Sequence, residues 1–446
     1  MEKFVINGGR KLNGHVSIFG SKNVALKVFV AACLTDEEVI VENVPLISDL
    51  LTMGDIIEHL GGTVRFEGHT AYIRVREFLS EKISLDKAAE IRTSYMFLAP
   101  LLSRVGKAII PNPGGCRIGA RPIDRIVLGL KKMGVKIDYD SKDGYFHASS
   151  PEGLRGTYYK FSKNTHTGTE TMMLSAVLAT GRTVLENAAQ EPEIDELINL
   201  LNSMGAKIKR EKERTIVIEG VTKLKGARLR ISPDRNEVVT FAVAAIITEG
   251  DIFIEDIKTN GLSEFLELLE KCGGGYEVGK DGIRFYYKEL LRPTEVVTSF
   301  YPGFMTDWQG PWAVLMTKAN GKSTIHETVY ENRFSYVPEL KKLGANIKLY
   351  NPSVKNPEEV YNFNTKDDGK HYLHAEEITG PTELHNGVVN ISDLRAGATL
   401  VLAALAADGE SILFGIEHLD RGYEKLEERL SKLGANIKRL DDDPLI

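Results

Sequence analysis

The chain has 446 residues, 42% of them hydrophobic and 26% charged, with a formal net charge of −6. That length exceeds what one hydrophobic core usually serves, so two domains are expected, and the composition is that of an ordinary soluble globular protein. The acidic balance argues against a general nucleic-acid binder, although it leaves room for a local cationic pocket. The N-terminal MEKFVINGG lacks the apolar run of a signal peptide, and no apolar stretch approaches membrane-spanning length. Cys33, Cys116 and Cys272 are odd in number and too scattered for a disulfide framework or a zinc knuckle. A reduced, cytoplasmic protein is the expectation.

In chain order, the first predicted elements are an apolar helix in KNVALKVFVAACL and a strand in EEVIVENV. An amphipathic helix ending IIEHLGG follows, then the strand TVRF. This pair of phrases returns five times. TSYMFLAPLLSRVGKAIIPN precedes LGLKKMGVKIDY, ETMMLSAVLATGRTVLENA precedes LINLLNSMGAKIKR, and VVTFAVAAIITEGDIFIED precedes FLELLEKCGGGYEV. GPWAVLMTKANGKSTIHETV with PELKKLGANIKLY, and RAGATLVLAALAADGESILFGI with LEERLSKLGANIKRL, complete the series.

The near-continuous apolar helices should be buried, and the second set should face solvent on one side. Gly61, Gly134, Gly205, Gly273, Gly344 and Gly434 stand just past the second helices, where glycine adopts the left-handed stop conformation cheaply. They recur about every 70 residues, except across a polar, strand-poor insertion at 351–373. The implied architecture is α/β: six βαβαββ-type units, three to a domain. Six paired phrases in fixed order are too regular for chance, and the units are long for a linear solenoid.

Cys116 sits in PNPGGCRIGARPIDR, a Pro/Gly-rich loop with Arg117 and Arg121 nearby. These arginines could favour a thiolate or flank a bound anion, whereas a small buried hydrophobe is the ordinary reading of a free cysteine. Cys33, inside VFVAACL, fits the ordinary reading. Lys22 and Asn23 stand where a strand gives way to an apolar helix, a ready anion site. Asp307, in TDWQ, occupies the matching place in the fifth unit and could be an N-cap or a base. Glu331, Arg333, Asp393, Arg395 and Arg421 add charges at unit junctions, where exposed salt bridges would also explain each of them. No P-loop lysine motif, dinucleotide glycine fingerprint or metal-ligand cluster is recognisable.

GSKNVAL, PGGCRIGARPID, ENAAQEPEI, SPDRNE, TDWQ, ETVYENRF, SDLRAGATLVLA and HLDRGYEKLEERLSKLGANI run in order from end to end. Together they closely resemble the UDP-N-acetylglucosamine 1-carboxyvinyltransferases, which make the first committed precursor of peptidoglycan. The relatives that make enolpyruvylshikimate phosphate share the six-unit fold but not the cysteine loop. The resemblance implies two inside-out α/β barrel-like domains, one formed by 1–21 with 232–446 and the other by 22–231. It also implies a cleft that holds phosphoenolpyruvate and UDP-N-acetylglucosamine, with no metal, organic cofactor or obligate protein partner.

By the same resemblance Cys116 is the general acid toward C3 of phosphoenolpyruvate and the target of fosfomycin, and Asp307 is the base for the sugar 3-hydroxyl. Lys22, Arg121 and Arg421 match cations around phosphate and carboxylate. Asn23, Arg92, Arg333 and Arg395 match further site residues, and Val329 matches a sugar-nucleotide contact. Pro122, Ile123, Asp124 and Arg125, with His166, Thr167 and Gly168, align with the uridine-contacting segments. There Arg125-Ile126 and KNTHTGTET depart from the usual pattern. Those departures admit one alternative, a transferase for another nucleotide sugar; a second, from a different class, is a non-catalytic sugar-nucleotide sensor, which would have no need of an acid and a base.

Overall fold

The computed structural model describes residues 2–112 and 122–441. Its repeating unit is seen most completely in the third copy. Strand Tyr158–Lys160 leads into helix His166–Ala176, strand Arg182–Glu186, helix Pro192–Ser203 and the hairpin Lys207–Lys212/Thr215–Glu219. Arg182–Glu186 pairs in parallel with the leading strand and antiparallel with the second hairpin strand. The described residues form six separate sheets of three to five strands, five of which have this parallel-then-antiparallel order. In the second copy the leading strand is reduced to a single parallel bridge, Lys82 to Ile109.

Three sheets borrow a strand from far along the chain. Arg228–Arg230 leads the first copy by pairing with Val39–Glu42. Asn13–Ser17 leads the fourth by pairing with Asp251–Glu255. The N-terminal strand Glu2–Asn7 lies between Glu410–Phe414 and Asn436–Asp441 and completes the sixth. The described residues accordingly fall into two compact units, 2–18 with 233–441, and 19–112 with 122–232.

All six stop glycines hold φ between 92° and 104°, a conformation that costs a residue with a β-carbon. The apolar helices are enclosed. Every residue of Arg235–Ile247 is buried, as are twelve of Leu394–Ala406 and nine of Lys22–Ala32. In the larger unit Arg235–Ile247, Gln309–Met316 and Leu394–Ala406 pack against one another. Gly310 permits that approach, because a β-carbon there would lie 2.2 Å from Thr399 Oγ1. None of the described helices is long and apolar enough to cross a membrane.

Two sets of polar groups interrupt these cores. In the unit 19–232, Lys27 Nζ lies 3.4 Å from Glu170 Oε2, with the side chains 3% and 0% exposed. The other Glu170 oxygen is 3.3 Å from His166 Nε2. In the other unit the Tyr336 hydroxyl is 2.6 Å from Gln309 Oε1 and 2.8 Å from Glu376 Oε1. One hydroxyl proton cannot serve two acceptors. Turning the Gln309 amide resolves this: its Nε2, otherwise a buried donor with no partner among the described residues, donates to Tyr336, and Tyr336 donates to Glu376. Burial pushes the Glu376 carboxyl up to about 8, against the opposing hydrogen bond from Tyr336.

Because Glu376 binds its proton more tightly folded than unfolded, its contribution is complete below its ordinary pKa of 4.5 and is lost as pH rises through about 8. Urea unfolding across that window should lose stability at up to about 1.4 kcal/mol per pH unit from this group, a slope that Glu376→Gln removes. At the other cluster, Lys27→Met should cost about 3–5 kcal/mol by stripping Glu170 of its buried cation. Lys27→Met/Glu170→Gln should recover most of that loss in the same assay.

Candidate active site

Lys22, Arg92, His166, Asp307 and Arg395 stand at the N-terminal ends of enclosed helical segments. Such ends leave backbone N–H groups unpaired and carry partial positive charge, so they favour anions. In the unit 2–18/233–441 three of these ends meet. Asp307 lies in the short 3₁₀ turn Thr306–Trp308 that runs into helix Gln309–Met316. Arg395 is the second residue of Leu394–Ala406, and the Asp393 carboxylate before it accepts the backbone N–H groups of Arg395 and Ala396, each at 3.0 Å. From the third end, Asn236 Oδ1 accepts the Trp308 indole N–H at 3.0 Å.

The Asp307 carboxylate is shared between two guanidinium groups. Arg333 Nη2 donates to Oδ1 at 2.6 Å, while Arg395 Nε and Nη2 lie 3.2 and 3.1 Å from Oδ2. Arg333 and Arg395 are 5% and 10% exposed in their side chains, against 26% for Asp307, so the acid is the accessible member of the trio. Burial alone would weaken the Arg333 charge, but Asp307, then Asp393 and Glu327, hold its pKa above the ordinary value. Arg395 also donates to the Tyr423 hydroxyl at 3.2 Å, which in turn is 2.9 Å from Thr240 Oγ1. Arg421 stands two residues before Tyr423, at the end of helix Glu417–Asp420.

Val329 follows strand Gly321–His326. Its N–H and that of Tyr330 donate to Glu327 Oε1 at 2.8 and 3.0 Å, and the Thr306 hydroxyl donates to the other Glu327 oxygen at 2.9 Å. One buried carboxylate thus ties the Val329 loop to the turn that bears Asp307. Burial pushes the Glu327 carboxyl up, partly offset by Arg333 and these hydrogen bonds. Glu327, Tyr423 and Asn236 were not singled out as site residues from the sequence. Glu327 lies inside the quoted ETVYENRF, and Asn236 lies inside SPDRNE, but nothing local marks the atoms they bind.

In the unit 19–232, Lys22 opens helix Lys22–Ala32 and pairs with Asp49 at 2.7 Å, the two side chains 12% and 8% exposed. Asn23 follows it, half-buried. Arg92 begins the 3₁₀ segment Arg92–Phe97 that continues into helix Leu98–Arg104. His166, Thr167 and Gly168 form the first turn of His166–Ala176, where Thr165 is the N-cap and its hydroxyl accepts the Gly168 N–H at 3.1 Å. Burial would strip His166 of its proton, but Glu170 opposes this more strongly and the pKa rises. Pro122 is exposed and Ile123 buried just before helix Asp124–Lys132. Arg125 offers its carbonyl to the Tyr159 hydroxyl at 2.5 Å. Cys116 and Arg121 lie outside the described residues.

Comparison with known proteins follows the same outline. The family model for EPSP synthase (3-phosphoshikimate 1-carboxyvinyltransferase) matches residues 6–430. A UDP-N-acetylglucosamine 1-carboxyvinyltransferase of Bartonella henselae is 40% identical, over 99% of this chain and all of its own. One from Acidobacterium capsulatum is 42% identical, over 99% of this chain and 96% of its own. Among solved structures, the enolpyruvyl transferase NikO from Streptomyces tendae superposes with a TM-score of 0.85 at 25% identity, covering 99% of both chains. EPSP synthase from Acinetobacter baumannii, 17% identical with a TM-score of 0.73 over 99% of this chain and all of its own, shares the fold. Ordered motifs, six repeated units and full-length identity near 40% agree: the chain belongs to the UDP-N-acetylglucosamine 1-carboxyvinyltransferase family.

Proposed function

We infer that this protein transfers the enolpyruvyl group of phosphoenolpyruvate to the 3-hydroxyl of UDP-N-acetylglucosamine and releases phosphate, the first committed step of peptidoglycan precursor synthesis. The observation that carries this is identity near 40% along the whole chain to relatives that bear the name of that activity. The Asp307 cluster supplies the chemical support. Both substrates are metabolites of the cell interior, so a cytoplasmic setting goes with this reading.

The sugar oxygen must bond to C2 of phosphoenolpyruvate as C3 gains a proton, which calls for a base on one side and an acid on the other. In this reading Asp307 accepts the hydroxyl proton and Cys116 delivers one to C3. The tetrahedral adduct then returns a proton from C3 and loses phosphate from C2, restoring the vinyl group. Arg333 and Arg395 hold the Asp307 carboxylate in place from both of its oxygens. Lys22, Arg121 and Arg421 bind phosphate and carboxylate, where cations stabilise charge that develops during addition. Asn23, Arg92, Pro122, Ile123, Asp124, Arg125, His166, Thr167, Gly168 and Val329 hold the nucleotide sugar and the remaining substrate groups.

Purified protein should release phosphate from phosphoenolpyruvate only when UDP-N-acetylglucosamine is present. Cys116→Ala should nearly abolish that release with an unchanged unfolding midpoint, and fosfomycin plus sugar nucleotide should add one drug mass to the native protein but none to the variant. Asp307→Asn should lower kcat by about 10²- to 10⁴-fold. Release without the sugar nucleotide, or full activity in either variant, would overturn these assignments.

A further inference from the structure

The insertion is the connection between strands Ile347–Tyr350 and Ala375–Gly380, a position where hairpins commonly need about two to five residues. Here the segment folds back on its own unit. Tyr361 and Phe363 are buried and stacked, with ring centroids 4.8 Å apart, and the buried His374 ring lies 5.0 and 5.2 Å from them. His374 Nε2 is 3.0 Å from Asp368 Oδ2, and its backbone N–H donates to Asn351 Oδ1 at 2.9 Å. From the body of the unit, His326 meets the Tyr361 ring edge-on, with Nε2 3.2 Å from the hydroxyl. An exposed polar tether would need none of this packing.

The packing delivers one backbone group to the candidate site. The Asn362 N–H donates to the Thr328 carbonyl at 2.8 Å. That carbonyl belongs to the same peptide plane as the Val329 N–H, which donates to Glu327. Both polar ends of the Thr328–Val329 peptide are therefore held, one by the insertion and one by a buried carboxylate. Rotating the plane would break two hydrogen bonds at once. The Thr328 hydroxyl and N–H, bonded to Thr298 at 2.6 and 2.9 Å, fix the preceding residue.

We propose that the insertion is a clamp on the Thr328–Val329 peptide, with the Asn362 backbone N–H as its positioning group, and that it sets affinity for the nucleotide sugar through Val329. The proposal rests on the transferase reading above. Phosphoenolpyruvate recognition, assigned to cations elsewhere, should not feel the clamp.

The test compares Asn362→Pro, which deletes the N–H, with Asn362→Ala, which keeps it. Tyr361 already has the extended conformation, φ −86° and ψ 131°, that a residue before proline requires. Asn362→Pro should raise the KM and the calorimetric Kd for UDP-N-acetylglucosamine about five- to tenfold, the worth of one hydrogen bond, while KM for phosphoenolpyruvate stays within about twofold. Asn362→Ala reports what the side chain alone contributes, and the effect of the N–H is the further rise of about five- to tenfold that only the proline variant shows. A protein with residues 352–373 replaced by an Asn-Gly turn should behave like the proline variant, and carries the comparison if that variant does not fold. If these proteins lose thermal stability but keep native affinity for the nucleotide sugar, the insertion is structural only and the proposal fails. Failure of the native protein to turn over UDP-N-acetylglucosamine would instead strike the transferase reading, so the two failures are distinguishable.

Discussion

A helix with no polar face has to be surrounded, and this requirement shapes both units. Arg235–Ile247 offers no stripe that could face water, and the other apolar helices are little different. Each repeat therefore contributes one helix to an enclosed centre and spends its sheet and second helix as cover. Enclosure leaves side chains that must meet a ligand only the helix ends. Lys22, Arg92, His166, Asp307 and Arg395 all stand at or just before the N-terminal end of an enclosed helical segment. These five candidates are thus a consequence of the packing, the same helix end reused in five of the six units with a different side chain.

The charged groups that remain inside show what such a centre tolerates. Arg429 meets Glu237 through two bonds of 2.5 and 3.0 Å, and both are buried. Lys27 and Glu170 form a looser buried pair in the other unit, with one contact of 3.4 Å. A buried pair of this kind seldom adds stability over an apolar substitute, but it penalises any arrangement that separates the partners. Asp307 differs because its carboxylate is reachable while its arginines are not, so an incoming ligand meets the acid first.

Much of this was legible in the chain. The stop glycines, the two helix types and the order of elements follow from local spacing, and each glycine has the backbone conformation its position implies. The ordered motifs carried the family and the residues around Asp307. What local reading could not supply is pairing across long separations. Nothing in EKFVIN says that it will sit between strands more than 400 residues away, and nothing in RLR marks it as the leading strand of the first sheet. The arginine clamp was hidden for the same reason, since Arg333 and Arg395 reach Asp307 from separate repeats. The insertion read as polar and strand-poor, and its contribution depends on a backbone N–H that no side-chain pattern reveals.

The placement of Glu2–Asn7 has a bearing on biosynthesis. The unit 19–112 with 122–232 draws only on neighbouring stretches of the chain, so it can collapse once these have left the ribosome. The sixth sheet cannot close until Asn436–Asp441 exists, and its central strand is made more than 400 residues earlier. At translation rates of about 5–20 residues per second, the roughly 400 residues that separate it from its partners take about 20–80 s, during which that β-segment has both edges unpaired. The nascent chain thus carries an open strand over that whole interval, and chaperone protection of Glu2–Asn7 would matter more than for a segment whose sheet closes in the order it is translated.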